Sequence, residues 1–118
     1  MSREAGHRCE RAAETFLHSR GLRTVCRNYR CRWGELDLVM TDGRELVVIE
    51  VRARRPAAMV SPEESIGPAK RRRLLAAARY LLAARPRLAI RPLRFDVVAV
   101  TAADDDYNFR WLKDAFRG

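Results

Sequence analysis

The stretch Gly34-Glu-Leu-Asp-Leu-Val-Met-Thr-Asp-Gly-Arg-Glu-Leu-Val-Val-Ile-Glu-Val-Arg52 constrains this chain more than any other. Apolar residues alternate with Glu35 and Asp37, Asp42-Gly43 signals a turn, and a Val/Ile run then ends at Glu50 and Arg52. This is a β-hairpin that carries acids where a sheet favours apolar residues. A two-residue loop at Asp42-Gly43 pairs Thr41 with Arg44, and a four-residue loop pairs Met40 with Glu45. Either loop sets Glu35 opposite Glu50 and Asp37 opposite Val48. Side chains alternate faces along a strand, so Glu35, Asp37, Val48, Glu50 and Arg52 are expected on one face. Asp37 and Glu50 are then diagonal neighbours, with Cβ atoms roughly 7 Å apart. Two carboxylates at that separation can reach one ion between them. The competing arrangement is a salt-bridge ladder with Arg52 and Arg54. Unpaired acids within a strand are costly, which favours an awaited cation, and Glu35 facing Glu50 also calls for a positive partner.

The remaining elements follow from pattern. Ala5, Cys9, Ala12, Ala13, Phe16 and Leu17 form one stripe of a helix over residues 3–20, with Gly21 as its stop. Leu22 to Cys31 reads as a strand. Pro56 to Gly67 reads as a loop that borders the acidic hairpin, and a second helix starts near Pro68 and ends before Pro86. Leu93 to Thr101 is a buried strand, Asp104-Asp-Asp a turn, Asn108 to Leu112 a short last strand, and Lys113 to Arg117 a terminal helical turn. The order α-β-β-β-α-β predicts an α/β sandwich, a mixed central sheet flanked by helices. A chain of 118 residues fits one domain, 1–118. No apolar run is long enough to span a bilayer, and the N-terminus lacks the apolar segment of a signal peptide, so a cytoplasmic location is expected. Cys9, Cys26 and Cys31 lack zinc-type spacing and read as reduced structural thiols.

The net charge of +9 is unevenly placed. From Arg52 to Arg94 there are twelve basic residues and two acids, 12 − 2 = +10, so the rest of the chain is close to neutral. A basic half beside an acidic cluster suits a polyanion gripped on its phosphates and processed at the acids. A solvated arginine-rich surface is the alternative, since 22 of the 24 basic residues are Arg. At about 100° per residue, Lys70 falls at the edge of the Leu74/Leu75/Ala78 stripe and can reach the sheet. Arg71 falls near the middle of that stripe, whereas Arg72 and Arg73 point away. Glu10 flanks the stripe of its own helix. Trp33, Tyr29 and Trp111 divide between core packing and base stacking. Asp96, in an apolar strand, is expected to pair with an arginine, and His7 and His18 to lie on the surface.

Five segments, in this order, resemble the YraN family of small bacterial proteins. They are Gly6-His-Arg-Cys-Glu10-Arg-Ala-Ala; Asn28-Tyr-Arg-Cys-Arg-Trp-Gly-Glu-Leu-Asp37-Leu-Val; Val47-Val-Ile-Glu50-Val-Arg-Ala-Arg-Arg55; Pro68-Ala-Lys70-Arg-Arg-Arg-Leu; and Arg94-Phe-Asp-Val-Val-Ala-Val100. That family is similar to Holliday-junction resolvases of the PD-(D/E)xK nuclease superfamily, with its restriction-endonuclease-like fold. The resemblance implies a metal-dependent phosphodiesterase acting on DNA or another nucleic acid. Asp37 and Glu50 would bind a divalent cation, usually Mg²⁺ with Mn²⁺ as an alternative, the Val51 carbonyl would be a further ligand, and Glu10 matches a first-helix acid near the metal. Arg52 stands where the pattern has lysine. Arginine can stabilise phosphorane-like charge but does not deprotonate. Three readings stay open: Arg52 substitutes with lower activity, Lys70 takes over from the second helix, or the protein binds nucleic acid without cutting it. A basic protein-interaction domain is a further alternative. Arg54, Arg55, Arg71, Arg72 and Arg73 are the candidate nucleic-acid contacts, and resolvase-like action would need a homodimer.

Overall fold

The computed structural model describes residues 3–54 and 66–117. Along the chain it gives α1 (Arg3–Ser19), β1 (Arg23–Cys31), β2 (Gly34–Asp42), β3 (Glu45–Arg54), α2 (Pro68–Ala84), a 3₁₀ turn (Leu88–Ile90), β4 (Leu93–Ala103) and β5 (Asp106–Phe116). The αβββαβ order expected from the sequence is therefore the order observed, and the short last strand expected at Asn108 to Leu112 is the longer β5. Helix α1 stops where the sequence says it must. Gly21 adopts φ 94°, its N–H reaches the His18 carbonyl at 3.0 Å, and the Leu22 N–H reaches the Leu17 carbonyl at 3.1 Å. This is the Schellman arrangement, completed by packing of Leu17 and Leu22, both buried in one cluster. Pro68 opens α2, and Pro86 follows its cap residue Arg85.

The strands lie in the order β1-β2-β3-β4-β5, with β3 and β4 parallel and every other neighbouring pair antiparallel. α1 covers one face through Ala13 and Leu17, which join Leu38, Met40, Val47, Ile49, Val98 and Val100. α2 covers the other through Leu74, Ala77, Ala78 and Leu81, which join Leu36, Val39, Val48, Phe95 and Val97. Burying each Leu or Val of these layers contributes about 1.5–3 kcal/mol. Strict alternation along β2 would put Leu36 and Leu38 on the same face. They instead lie in opposite layers, so the strand twists out of register at Asp37.

Two expectations are corrected. The hairpin closes through Gly43-Arg44, with Asp42 paired to Glu45 and Leu38 to Ile49, two positions from the predicted register. Gly43 alone of the loop pair takes a positive φ, 61°, which is the II′ solution with glycine first. The last rung is fixed from outside the hairpin, where the Arg94 guanidinium donates to Asp42 and to Glu45 at 2.9 Å each. Glu35 is therefore not opposite Glu50. Continuing the observed register by one residue sets Asp37 across from Glu50 instead. The second correction is at the C-terminus, where no helical turn forms at Lys113–Arg117 and β5 runs through Phe116. The pairing shifts from Val97↔Leu112 to Phe95↔Phe116, a bulge in which Asp114 adopts φ 53° and donates its N–H to Asp96 at 2.9 Å. The predicted loop at residues 56–65 and the candidate contact Arg55 lie outside the described residues.

Candidate active site

The β2–β3 ladder runs as far as Leu38↔Ile49. Beyond it the Val51 N–H donates to the Asp37 carboxylate, Oδ2, at 2.9 Å. A side chain has taken the place of a ladder acceptor, and the two strands part there. Glu50 is buried, 4% exposed, in the parted region. Lys70 reaches it from α2, with Nζ 3.3 Å from Oε2. The contact is ionic without the alignment of a hydrogen bond, and Glu50 Oε2 has no hydrogen-bond partner among the described residues. Asp37 is desolvated and faces Glu50, through both a hydrogen bond that favours its protonated form and the charge of that carboxylate. Its pKa is pushed up to about 8, with the Val51 N–H and Lys70 only partly offsetting the rise. One lysine cannot neutralise both the half-buried Asp37 and the buried Glu50 carboxylates.

Glu10 stands to one side of this pair. Its Oε1 accepts from Asn28 Nδ2 at 2.9 Å, and the same amide donates to Glu35 at 3.2 Å. Asn28 takes φ 48° to make this bridge. Burial raises the Glu10 pKa, the Asn28 hydrogen bond lowers it, and the charges of Asp37 and Glu35 push it up again. Glu35 finds its positive partner in Arg30, with Nε 3.4 Å away. A cleft of about 160 Å³ joins His7, Glu10, Asn28 and Asp37. His7, expected on the surface, is a half-buried wall of that cleft. Sequence reasoning missed Glu14, which is buried and receives Arg27 Nε at 2.7 Å and the Thr24 hydroxyl. Its position on the apolar stripe side, four residues after Glu10, was the available signal.

The remaining candidates separate. Arg52 and Arg54 follow Glu50 on β3, beside Ala99 and Thr101 of β4, and both are half-buried. Arg54 Nε and Nη2 are buried without a hydrogen-bond acceptor among the described residues. Arg71 is committed within the fold: its Nε donates to the Ile66 carbonyl at 3.0 Å and its guanidinium lies 5.4 Å from the centre of the Phe116 ring. Arg72 and Arg73 are exposed beside Trp33. Trp111 donates to Asp96 at 2.9 Å and Tyr29 packs against the α2 layer, so Trp33 is the exposed one of the three aromatics. Asp96, 1% exposed, pairs with Arg94 as expected, through Nε and Nη2 at 2.9 Å each. It is a structural anchor between β4, β5 and the hairpin.

The donor set fits a small hard cation. Magnesium takes one or two carboxylates and keeps several waters, and Asp37 with Glu50 supplies that pair in a place where the two charges are undercompensated. Among the described residues no group of three or more His, Cys, Asp or Glu side chains converges tightly enough to cage an ion. Glu10 is near enough to feel the charge of Asp37 but is held off by Asn28. A mixed five-stranded sheet between two helices, opened around the Asp37–Glu50 carboxylate pair with a lysine from the crossover helix, defines an α/β sandwich of the αβββαβ type. The profile of the uncharacterised protein family UPF0102, the YraN family, matches residues 9–100. A UPF0102 protein of Nitrosococcus oceani is 46% identical over 115 residues, 98% of this chain and 93% of that one. Those of Stutzerimonas stutzeri and Chromohalobacter salexigens are 44% and 47% identical, each over 98% of this chain and over 96% and 92% of their own lengths. The chain belongs to the UPF0102 family. Among the described residues no helix is long and apolar enough to cross a membrane.

Proposed function

We propose that this protein binds nucleic acid and hydrolyses DNA phosphodiester bonds with the help of a divalent cation held by Asp37 and Glu50. The observation that carries this reading is the undercompensated carboxylate pair, half-buried Asp37 and buried Glu50, at the parted β2–β3 strands. Asp37, Glu50 and the Val51 carbonyl would hold Mg²⁺ or Mn²⁺, which when bound supplies Lewis-acid polarisation of the phosphate and an acidified water. The Val51 N–H fixes the Asp37 carboxylate, so one oxygen is positioned before any ion arrives. Lys70, 35% exposed at its side chain, touches Glu50 at one end of its reach and opens toward solvent at the other. That position lets it offset charge developing on a phosphate. Arg52 does not deprotonate, so it orients or neutralises and is no general base. The exposed Arg72 and Arg73 of α2 supply phosphate contacts for the rest of the polyanion.

A second reading is a nucleic-acid-binding module that keeps the fold without cutting. Arg52 in place of lysine favours it. Incubation with plasmid, flap and four-way-junction DNA in Mg²⁺ or Mn²⁺ separates the two. Cutting by the wild type that is lost in Glu50→Ala supports the nuclease. Equal traces for the two proteins would assign any cutting elsewhere. Higher activity in Arg52→Lys would identify the arginine as a handicap.

A further inference from the structure

We infer that Trp33, together with Arg72 and Arg73, forms a stacking platform for an unpaired base of the nucleic-acid strand that occupies the carboxylate site. The inference rests on the proposed function and adds the structural class of the substrate: a strand with at least one base free to leave its partner. Trp33 sits in the turn between β1 and β2 and is 47% exposed, while the sequence offers ample apolar interior elsewhere. It borders an open groove of about 340 Å³ whose other wall is Ala69, Arg72, Arg73 and Ala76 of α2. The two alanines keep the helix wall low, and the arginines supply the charge that a backbone phosphate requires. The Arg32 guanidinium lies over the indole, 4.7 Å from the ring centre, and adds a third positive group at the platform.

The groove lies along α2, the helix that also sends Lys70 to the carboxylate site. Arg73 follows Lys70 by three residues on α2, so the two share one helix face, and Lys70 touches Glu50. A Cβ built on Gly34 would stand 3.8 Å from Arg73 Cβ, which places the start of β2 against that face. Three residues of β2, Gly34 to Leu36, separate Trp33 from Asp37, a step of about 13 Å at the usual strand rise. This is on the order of four stacked nucleotides. A strand cut at Asp37 and Glu50 is therefore within reach of Trp33 a few nucleotides away. A duplex hides its base faces from an indole, whereas an unpaired base offers one, and stacking on tryptophan does not depend on base identity. A second copy of the chain is a poor occupant, because its own net charge is +9.

The test uses the full chain and three probes: a single-stranded 12-mer in deoxy and ribo forms, a blunt 12-base-pair duplex, and the same duplex with a single-stranded extension. Binding is followed by anisotropy and by tryptophan quenching, and Trp33→Ala and Trp33→Phe are compared after thermal unfolding has verified their folds. Supporting results are tighter binding of the extended and single-stranded probes, quenching that disappears in Trp33→Ala, an affinity loss in that variant of roughly tenfold or more, and recovery in Trp33→Phe. Equal affinity of Trp33→Ala and wild type for single strands overturns the platform, and metal-dependent cleavage that persists in that variant shows that the nuclease reading survives. Absence of salt-dependent binding to every probe overturns both. Cleavage abolished by Glu50→Ala with single-strand binding intact keeps the two apart in the other direction.

Discussion

In chelator, the stability of the wild-type protein should fall as pH rises through neutrality, and Asp37→Asn should abolish that component. Asp37 has an ordinary carboxylate pKa of 3.8 when unfolded and about 8 when folded, because burial and Glu50 disfavour its charge. Below the unfolded value both states hold the proton and the site costs nothing. Between the two values the folded state holds a proton that the unfolded state has released, so each pH unit removes about 1.4 kcal/mol of stability. Above the folded value the loss is complete. Between pH 5 and pH 7 the wild type should therefore lose roughly 3 kcal/mol more stability than Asp37→Asn. Asparagine imitates the neutral acid in shape, and its side-chain oxygen can still accept the Val51 N–H. Lowering of the Glu10 pKa once the Asp37 charge is gone adds in the same direction. The assay is urea unfolding in EDTA at pH 5, 6 and 7 for both proteins. Parallel pH dependences would refute the reasoning, since they would mean that Asp37 is already charged and compensated in the folded protein.

Divalent cation should reverse this effect. At pH 8, Mg²⁺ or Mn²⁺ at a hundred times its dissociation constant should raise wild-type stability by about 2.7 kcal/mol, with little gain in Asp37→Asn or Glu50→Gln, read by thermal unfolding with and without the ion. Arg94→Ala should cost about 3–5 kcal/mol in urea unfolding, because it strands the buried Asp96 charge. Gly21→Ala should cost about 1 kcal/mol by the same measurement; no atom lies within 4 Å of the added Cβ, so the loss comes from the positive φ alone. Glu14 has its pKa lowered, the Arg27 and Thr24 hydrogen bonds and nearby charges outweighing burial. Glu14→Gln should thus remove stability present above the unfolded carboxylate pKa and leave the protein less sensitive to acid than wild type, measured as unfolding midpoints from pH 7 down to pH 3.

What the sequence made legible is what neighbouring residues decide. Gly21 ends α1, Pro68 starts α2, and the alternation in residues 34–52 forces a hairpin, all through contacts within a few positions. What it concealed depends on partners far along the chain. The hairpin slipped by two residues relative to the local turn signal, because Gly43 works best as the first residue of a II′ turn and Arg94 clamps Asp42 to Glu45 from about fifty residues away. A slip of two preserves the faces wherever side chains alternate with period 2, but the break in alternation at Asp37 releases Glu35 from the face of Glu50. The acids therefore stayed on one ribbon while their partners changed: Glu35 went to Arg30 and Asn28, and Asp37 came to face Glu50. The apparent end of β5 at Leu112 was likewise a bulge anchored on Asp96.

The same division explains the site. Asp37, Glu50 and Lys70 could be named because a carboxylate in an apolar strand and a lysine at a helix-stripe edge are locally anomalous, and folding brings those three together. Glu10 could be named but not positioned, because its distance from the pair is set by Asn28 in a left-handed conformation on a strand that gave no such signal. With Asn28 bonded to Glu10, Lys70 faces both Glu50 and the charge of Asp37, and the raised pKa of Asp37 shows an imbalance that a cation would relieve. Asn28→Ala separates restraint from repulsion: if the amide is what holds Glu10 off, the variant should bind Mn²⁺ more tightly than wild type in a titration at pH 8. Weaker binding would mean that Asn28 instead screens Glu10 from Asp37, and that its removal adds repulsion rather than a ligand.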